Sequence, residues 1–253
     1  MKQFDKVAKV YTKVRPSYPE QVYEKITEWY GSPRIKTAVD IGCGSGQSIT
    51  GLKKICTEIT GVEPGDNLRA EAIINHPDVQ FVKGQGEQTN LPDDCADLVT
   101  IATAFYWMDR EKTLKEINRI LKAGGVFVTY RYLFPIVYSE AHEIIERHCT
   151  DYWDKYREER LVREDDSDIL MRKSGFFSEV KKDKVTNIKK MSPDDFVSFL
   201  TSTSYVSKYL EETGDQADNY VKGLISELEE YTVGGTLDIN FDIYMFLGKK
   251  KRQ

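Results

Sequence analysis

The sequence predicts an α/β protein built on a doubly wound parallel sheet. Between about residue 36 and residue 132, short apolar runs alternate with amphipathic segments of helical length. Such alternation is typical of parallel strands joined by crossover helices. The first run ends in a carboxylate and leads into three glycines at alternate positions. This predicts a tight turn at the sheet edge where open α/β folds bind ligands.

Two helices are expected before the first strand. Apolar residues recur at helical spacing from Phe4 to Tyr11, and the segment from Pro19 to Tyr30 carries a second apolar face. Pro16 separates the two segments, because proline cannot continue a helix and biases the preceding residue towards extended backbone. The helix before the fifth strand is expected to stop at Gly124 and Gly125. The five predicted strands lie near residues 37–41, 58–62, 79–82, 97–102 and 125–131.

The second half of the chain is less regular. Residues 138–160 have a helical pattern that is rich in charge and aromatic residues. Strand-like patterns follow at Val180–Ile188 and at Leu237–Leu247, and two helices are expected between them, beginning near Ser192 and Asp215.

No metal site is predicted. The acidic run from Glu164 to Asp168 lacks the glycine and the distal glutamate of a calcium loop, so we interpret it as a solvated loop. The four cysteines have no C-x-x-C pair and no companion histidine cluster, so free and mostly buried thiols are expected. They are Cys43, Cys56, Cys95 and Cys149.

The glycine-rich turn from Gly42 to Gly46 indicates a nucleotide-bearing ligand. Asp40 stands near the carboxyl end of the preceding strand. A dinucleotide-binding turn calls for Gly or Ala at residue 47, where this chain has Gln47. S-adenosylmethionine (SAM) has no phosphate and carries an ammonium group, which an acidic neighbourhood favours. A turn that only connects strand and helix is the alternative interpretation of this segment taken alone.

A second acid strengthens the ligand hypothesis. Glu63 ends the next apolar run, about 20 residues beyond the glycines, where an acid commonly binds ribose hydroxyls. The alternative for Glu63 by itself is a charge near a helix N-terminus, since Pro64, Gly65 and Asp66 follow it.

Four later segments give the chain a specific resemblance. They are Gly84–Glu87 followed by Leu91–Asp94, then Asp97–Val99, Ala104–Asp109 and Arg119–Gly125. In this order, and with the glycine turn, they resemble the class I SAM-dependent methyltransferases of the type 11 group, which includes the ubiquinone/menaquinone-biosynthesis and trans-aconitate methyltransferase types. The resemblance covers about residues 36–130, and Arg15–Pro19 is similar to the trans-aconitate-like branch. It implies a seven-stranded, mostly parallel, Rossmann-like sheet with an antiparallel C-terminal strand and helical lid additions.

The resemblance also implies a set of SAM-binding residues. They are Asp40, Gly42, Gly44, Gly46, Glu63, Pro64, Asn67, Gln85, Gly86, Glu87, Ala102, Ala104 and Phe105. In that family Asp40 and the glycines correspond to contacts with the methionine end, and Glu63 to the contact with the ribose. The chain departs from the family pattern at Gln85, where relatives often have Asp. It departs again at Tyr106, where relatives often have His.

Aromatic and cationic residues are the acceptor-site candidates. Tyr11 and Arg15 come from the segment that covers the cofactor in the resembling family, Tyr106 follows the fourth strand, and Arg131 ends the fifth. Ordinary packing of the aromatic rings and surface ion pairs of the arginines are the alternatives. Further aromatic candidates are Tyr18, Trp107, Tyr130 and Tyr132. The three histidines, His76, His142 and His148, lie outside the matched motifs, so surface or capping roles are expected for them.

Composition and net charge limit the classes of partner that are expected. The net charge of −5 provides no global basic field, so a nucleic-acid partner is disfavoured. No secretory leader and no long uncharged apolar stretch is apparent, so we expect no membrane insertion and a cytoplasmic protein. We expect one methyltransferase domain over residues 1–253. It would comprise a helical cap (1–35), a SAM-binding core (36–132), and acceptor-side helices with the last two strands (133–253).

The leading hypothesis is an enzyme that transfers a methyl group from SAM to a small molecule, with a carboxylate or other oxygen nucleophile as the acceptor and S-adenosylhomocysteine as the product. A catalytically silent SAM-binding regulatory or interaction protein is the first alternative. An NAD(P)-dependent oxidoreductase is the second, because it would share the fold and the ribose acid.

Overall fold

A computed structural model of the protein describes residues 15–162 and 164–252. Tyr11 and the first predicted helix lie outside these residues. Ten strands are described: β1 (Ile35–Ile41), β2 (Cys56–Val62), β3 (Gln80–Val82), β4 (Ala96–Ala102), β5 (Leu121–Tyr132), β6 (Ile136–Val137), β7 (Phe177–Val185), β8 (Ile188–Met191), β9 (Leu237–Asn240) and β10 (Ile243–Lys250).

Seven of these strands form the central sheet, in the order β3-β2-β1-β4-β5-β10-β7. The pairs β1–β2, β2–β3, β1–β4 and β4–β5 are parallel, whereas β10 runs antiparallel to both β5 and β7. The sheet therefore has six parallel strands and one antiparallel strand, which is the C-terminal one. The predicted fold class is confirmed.

The described residues form ten α-helices: α1 (Glu20–Tyr30), α2 (Ile49–Ile55), α3 (Asp66–Asn75), α4 (Arg110–Ile120), α5 (Ala141–His148), α6 (Glu159–Val162), α7 (Ser167–Ser174), α8 (Pro193–Thr201), α9 (Ser204–Thr213) and α10 (Ala217–Glu229). A π-helical turn at Cys149–Trp153 and a 3₁₀ turn at Asp154–Tyr156 continue α5. Among the described residues, no helix is both long and apolar enough to cross a membrane.

The core has two parts, one on each face of the central sheet. On one face α1 and α2 bury Ile26 and Leu52 against Val128 and Tyr130 of β5. On the other face Ile117 of α4 packs in the cluster that contains Phe127 of β5. Successive side chains of a strand point to opposite faces, so β5 supplies both parts. This explains its nearly continuous burial, which is typical of a strand covered on both sides.

The predicted end of the helix before β5 was wrong. Helix α4 ends at Ile120, and β5 begins at once with Leu121. Gly124 instead adopts a left-handed conformation, with φ of 76°, within the strand. The pairing of β4 with β5 shifts register nearby, between Ala96 and Leu98. A glycine that enables such a bulge has the same sequence pattern as one that ends a helix.

The two predicted late strands are each divided in two. The chain leaves β7 for β8 around Asn187, and leaves β9 for β10 around Asp242. Strands β8 and β9 pair with β6 in a second, antiparallel sheet of order β6-β9-β8. The N–H of Phe241 donates to the carbonyl of Asn187 (2.8 Å), and the N–H of Asn187 donates to Asp242 Oδ1 (3.0 Å). These bonds join the two sheets where both chain segments cross over.

The helices after residue 138 also differ from the prediction. The helical segment 138–160 consists of α5, two irregular turns and α6. The region after Ser192 contains three helices rather than two, because the chain breaks at Ser202 and Thr203, between α8 and α9. The predicted start near Asp215 is confirmed, since α10 begins at Ala217. The start near Ser192 is confirmed, since its hydroxyl accepts the N–H of Asp195 as an N-cap.

The acidic run Glu164–Asp168 is not the solvated loop that was predicted. Asp165 Oδ2 lies 2.9 Å from Arg131 Nε, and Asp168 Oδ1 lies 3.0 Å from Lys182 Nζ. Asp166 pairs with Arg110. Because the basic partners come from distant positions in the chain, the local sequence could not reveal these pairs. The four cysteines are free, and three of them are buried, as predicted.

We predict that Asp242→Ala destabilises the protein by about 1–3 kcal/mol, the cost of leaving a buried hydrogen-bonding group without its partner. Its carboxylate accepts the Asn187 N–H and lies 2.6 Å from Lys184 Nζ. Urea unfolding measures the change. Asp238→Ala is the matched control, because Asp238 pairs with Lys190 at an exposed site, where less than about 1 kcal/mol is expected. Equal losses in the two variants would contradict a structural role for the strand crossing.

Candidate functional site

The glycine turn after β1 adopts a conformation that suits glycine. Gly42, Gly44 and Gly46 have φ values of 67°, 55° and 89°, a region that side chains other than glycine rarely adopt. A Cβ on Gly42 would lie 3.0 Å from Ala104 Cβ, whereas a Cβ on Gly44 would meet nothing within 4 Å. The turn therefore packs closely against the end of β4 at Gly42 and leaves open space above Gly44.

Glu63, at the end of β2, holds the turn in place. Its side chain is buried, Oε2 accepts the N–H of Gly44 (3.0 Å), and Oε1 accepts the N–H of Gly65 (2.8 Å). One carboxylate thus joins the loop after β1 to the loop after β2. Because charge-assisted hydrogen bonds to a buried carboxylate are strong, this contact fixes the distance between the two loops.

Asp40 lies beneath the turn and has an unsatisfied acceptor. Its side chain is fully buried, and Oδ1 accepts the hydroxyl of Thr100 (2.6 Å). Oδ2 has no hydrogen-bond partner in the part of the chain that the structure describes. Burial, together with the nearby charge of Glu63, raises the pKa of Asp40 to about 7, although the Thr100 hydrogen bond opposes this. A positive charge nearby would stabilise the ionised form of such a buried carboxylate. The site therefore fits the ammonium group of SAM.

A cavity of about 730 Å³ opens beside these residues. Its walls come from the glycine turn, the end of β2, helix α3, the end of β4 and the segment before α1. The lining residues are Tyr18, Gly42, Cys43, Gly44, Ser45, Gln47, Ser48, Glu63, Leu68, Ala102, Thr103, Ala104, Trp107 and Tyr132. We call this the first cavity. Five of the predicted cofactor residues line it: Gly42, Gly44, Glu63, Ala102 and Ala104.

The other predicted cofactor residues do not line the first cavity. Asp40 lies behind the turn, and Phe105 is buried against Phe127, with ring centroids 5.7 Å apart. Gly46 packs on His76, whose Nε2 lies 2.9 Å from the Gly46 carbonyl oxygen. Pro64 and the exposed Asn67 lie beside the cavity, at the start of α3.

The segment from Gln85 to Glu87 has a structural role in the described geometry. Gln85 is exposed and pairs with Gln88 in an isolated bridge. Gly86 is buried, and a Cβ there would lie 2.4 Å from Met108 Sδ. Glu87 Oε1 accepts the N–H of Asp109 (2.7 Å), just before α4. These three residues therefore join β3 to the start of α4, and their cofactor contact stays a prediction.

A second, larger cavity adjoins the first at the carboxyl ends of β4, β5 and β7 and the amino end of β10. It encloses about 1860 Å³, including solvent at its mouth. Aromatic rings supply much of its wall: Tyr106, Trp107, Tyr132, Phe134, Phe199, Tyr205, Tyr244 and Phe246. Three residues line both cavities, and they are Thr103, Trp107 and Tyr132. We call these three the shared residues.

Two predicted acceptor-site arginines meet in this second cavity. Arg15 Nη1 donates to the hydroxyl of Tyr132 (2.9 Å), and its guanidinium lies 5.1 Å from the centre of the Phe199 ring. Arg131 lies over the ring of Tyr106 at 4.9 Å, with Nε 2.9 Å from Asp165 Oδ2. The structure thus brings together three of the four predicted acceptor-site residues. The fourth, Tyr11, lies outside the described residues.

Sequence reasoning missed Thr103, although it lines both cavities. Its φ of 53° is unusual for a β-branched residue and costs free energy. The N–H of Thr103 donates to the carbonyl of Tyr130 (2.8 Å), and its hydroxyl lies 2.7 Å from that of Tyr18. Positive φ at a threonine has no sequence signature, so only the folded backbone reveals this position.

Comparison with known proteins agrees with the geometry. A family model described as a methyltransferase domain matches residues 39–129, the segment that forms the first cavity. The chain is 27% identical over 256 residues to a candidate methyltransferase of Dictyostelium discoideum, covering 98% of this chain and 95% of that protein. It is 28% identical over 157 residues to the candidate S-adenosylmethionine-dependent methyltransferase CRG1 of Saccharomyces cerevisiae, covering 58% of this chain and 54% of that one.

A solved structure shares the fold over nearly the whole chain. The candidate type II methyltransferase from Anaeromyxobacter dehalogenans superposes with a TM-score of 0.76 at 24% identity, covering 94% of this chain and 99% of that one. This likeness therefore extends well beyond residues 39–129, which the family model matches. It does not distinguish the trans-aconitate-like branch from other branches, so that assignment stays a prediction.

We predict that Asp40→Asn raises the stability of the ligand-free protein at pH 8. The folded-state pKa of about 7 lies above the unfolded value of about 3.9. Asp40 therefore favours folding most at low pH, and this contribution is lost as pH rises towards 7. The neutral amide should remove a penalty on the order of 2–4 kcal/mol at pH 8, and less at pH 5. Urea unfolding at both pH values measures it, and the same variant should bind SAM at least tenfold more weakly.

Asp97→Asn is the control with the opposite sign. Burial acts to raise the pKa of Asp97, but hydrogen bonds from Thr37 and Lys122 outweigh it and lower the pKa. This group stabilises the fold above its unfolded pKa, and its contribution is lost as pH falls through the folded value. The Asn variant should thus be less stable than the parent at pH 8. If Asp40→Asn had the same free energy of unfolding as the parent at every pH, the raised pKa assigned to Asp40 would be wrong.

The observations converge on one chemistry. A glycine turn with open space above Gly44, a buried acid at Glu63 and an unsatisfied Asp40 carboxylate suit a cationic nucleoside ligand. A neighbouring cavity has room for a second reactant, and the family model matches the segment that forms the first one. The chain therefore carries a methyltransferase domain, matched over residues 39–129, and it resembles the class I SAM-dependent methyltransferases in sequence, fold and site.

Proposed function

We propose that the protein methylates a small molecule that binds in the second cavity through a carboxylate or other oxygen nucleophile. The observation that carries this proposal is the joining of an arginine-bearing, aromatic-walled cavity to the first cavity through Thr103, Trp107 and Tyr132. The relatives establish methyl transfer as the reaction class. The acceptor is inferred from the walls of this cavity alone.

In the first cavity, different residues would hold the methionine end and the ribose of SAM. Asp40 and the glycine turn would receive the methionine end, and Glu63 the ribose, with Pro64 and Asn67 beside it. Bound SAM supplies an electrophilic methyl group; the acceptor's electron pair forms the new bond to it as the bond to sulfur breaks and S-adenosylhomocysteine leaves. The chain's own residues orient the reactants and exclude water, which can supply much of the rate acceleration.

The aromatic walls and arginines favour a planar or apolar molecule that carries an anion. Arginine forms strong bidentate hydrogen bonds with carboxylates. Arg131 is suited to this because its terminal nitrogens make no hydrogen bond within the described part of the chain, and its only ion pair there, to Asp165, is through Nε. Arg15, held by Tyr132 at the boundary of the cavities, is placed to orient an oxygen close to the first cavity.

A carboxylate acceptor also agrees with the side chains that line the two cavities. A carboxylate is already ionised at neutral pH, whereas a phenol or an ammonium must lose a proton. Among the described residues, no histidine lines either cavity. His148, at the end of α5, instead packs against Tyr152, Trp153 and Tyr220, with Nδ1 2.6 Å from the Tyr220 hydroxyl. Methylation of a carboxylate therefore needs no general base from the cavity walls.

The second cavity also supports one domain over residues 1–253. Its walls combine Arg15 from the cap, Tyr106 and Arg131 from the core, and Phe199 and Phe246 from the later chain. The three segments expected from the sequence thus share one site. Nucleic acid stays a disfavoured partner, because the net charge is −5, and a cytoplasmic location stays a prediction.

We predict that Arg131→Met lowers kcat/KM for a carboxylate acceptor by at least thirtyfold and leaves SAM affinity unchanged. Removing a buried, charged hydrogen-bonding group costs about 2–5 kcal/mol in comparable sites. A panel of aromatic and aliphatic carboxylic acids, phenols and amines, assayed with radiolabelled SAM, identifies the acceptor class first. Titration calorimetry with SAM then measures the cofactor affinity.

Arg119→Met is the matched control for this test. Arg119 pairs with Glu116 and Asp93 on and beside α4, and it lines neither cavity. The variant should keep the kcat/KM of the parent for the acceptor. Methylation of phenols or amines but of no carboxylic acid, or an Arg131→Met enzyme as active as the Arg119→Met enzyme, would overturn the proposed acceptor.

A further inference from the structure

Two hydroxyl groups meet at the boundary between the cavities. Thr103 Oγ1 and Tyr18 Oη lie 2.7 Å apart. Thr103 is a shared residue, and Tyr18 lines the first cavity. If the donor occupies the first cavity and the acceptor the second, as the proposed function requires, the transferred methyl group must pass the shared residues.

Thr103 is the shared residue best suited to contact a positively charged methyl group. One face of the Trp107 ring, which could attract a cation, is already covered by the Arg160 guanidinium, 4.1 Å from the ring centre, and the indole nitrogen offers only an N–H donor. The Tyr132 hydroxyl accepts a hydrogen bond from the cationic Arg15, which makes its oxygen less attractive to a second positive group. Within the described residues, no cationic group bonds to the Thr103 oxygen, which keeps at least one lone pair in either direction of its hydrogen bond to Tyr18.

Both hydroxyls are held firmly in place by Tyr130, whose side chain is fully buried. The Thr103 N–H donates to the Tyr130 carbonyl, which fixes the strained backbone at φ of 53°. The Tyr18 ring packs edge-on against the Tyr130 ring, with centroids 5.0 Å apart. The Tyr130 hydroxyl in turn hydrogen-bonds Ser48, which lines the first cavity. Strain held by several contacts at a cavity wall is typical of a functional position.

We propose that the Thr103–Tyr18 hydroxyl pair positions the sulfonium methyl group of SAM at the boundary of the two cavities. A sulfonium carries its charge partly on the hydrogens of its methyl group, and oxygen lone pairs attract such C–H groups. S-adenosylhomocysteine has neither the charge nor the methyl group. The pair therefore distinguishes the cofactor from its product and helps to clear the product after transfer.

The test compares SAM with S-adenosylhomocysteine by titration calorimetry on the full chain. Thr103→Val removes one hydroxyl at nearly constant shape, and Tyr18→Phe removes the other while keeping the ring. Each change should weaken SAM binding about two- to fivefold, and the double change should weaken it further. The affinity for S-adenosylhomocysteine should stay constant. Thr103→Ser, which keeps the hydroxyl, should retain the SAM affinity of the parent.

Matched controls remove the same groups elsewhere. Tyr23→Phe deletes a buried hydroxyl that donates to the Ser48 carbonyl, and Thr113→Val deletes one beside Gly86. Neither residue lines the first or the second cavity. In both variants, the ratio of the SAM affinity to the S-adenosylhomocysteine affinity should therefore equal that of the parent.

Two outcomes would overturn the proposal. Equal losses for SAM and S-adenosylhomocysteine would show that the pair only latches residues 15–18 over the cavity, and no loss for either would show that it does not contact the methyl group. Tyr18→Phe and Thr103→Ser keep the test valid if Thr103→Val does not fold. The result is independent of the acceptor, so it is distinct from the test of Arg131. A parent protein that bound neither ligand would instead overturn the cofactor assignment itself.

Discussion

The contact between Glu63 and two backbone N–H groups, those of Gly44 and Gly65, is the interaction on which the rest of the site depends. Parallel strands bring the ends of β1 and β2 side by side, but their loops are free to diverge. The buried carboxylate prevents this. It also places a second negative charge near Asp40, which raises the pKa of Asp40. The same contact therefore fixes the shape of the first cavity. It also makes the buried side of that cavity, near Asp40, favourable for a cation.

Side chains of β5, which point alternately to the two faces of the sheet, connect the first cavity to the second. Tyr130 packs on the α1 face of the sheet, where it supports Tyr18 and Thr103. Arg131 points to the opposite face and meets Asp165, which precedes α7. Tyr132 returns to the first face and receives Arg15. Because successive side chains of a strand point in opposite directions, three consecutive residues can reach the core, the second cavity and the boundary between the cavities.

The division of the late strands explains how the second cavity is built. Strands β7 and β10 extend the central sheet, so Lys182, Tyr244 and Phe246 reach the cavity wall. Beyond the crossing at Asn187 and Asp242, the same segments form the second sheet with β6. Its strand β6 belongs to the chain that leaves β5. One pair of chain segments therefore completes the central sheet and also carries residues that line the second cavity.

The sequence by itself determined the α/β class, the strands β1 to β5 and the chemistry of the cofactor site. These depend on local signals: apolar periodicity, glycines that permit a tight turn, and acids at the ends of strands. The tertiary structure decided what depends on distant partners. It brought Arg131 to Asp165 and Arg15 to Tyr132, divided each late strand between two sheets, and forced Thr103 into a strained conformation. No local pattern encodes these features, because each arises only when segments separated by dozens of residues pack against one another.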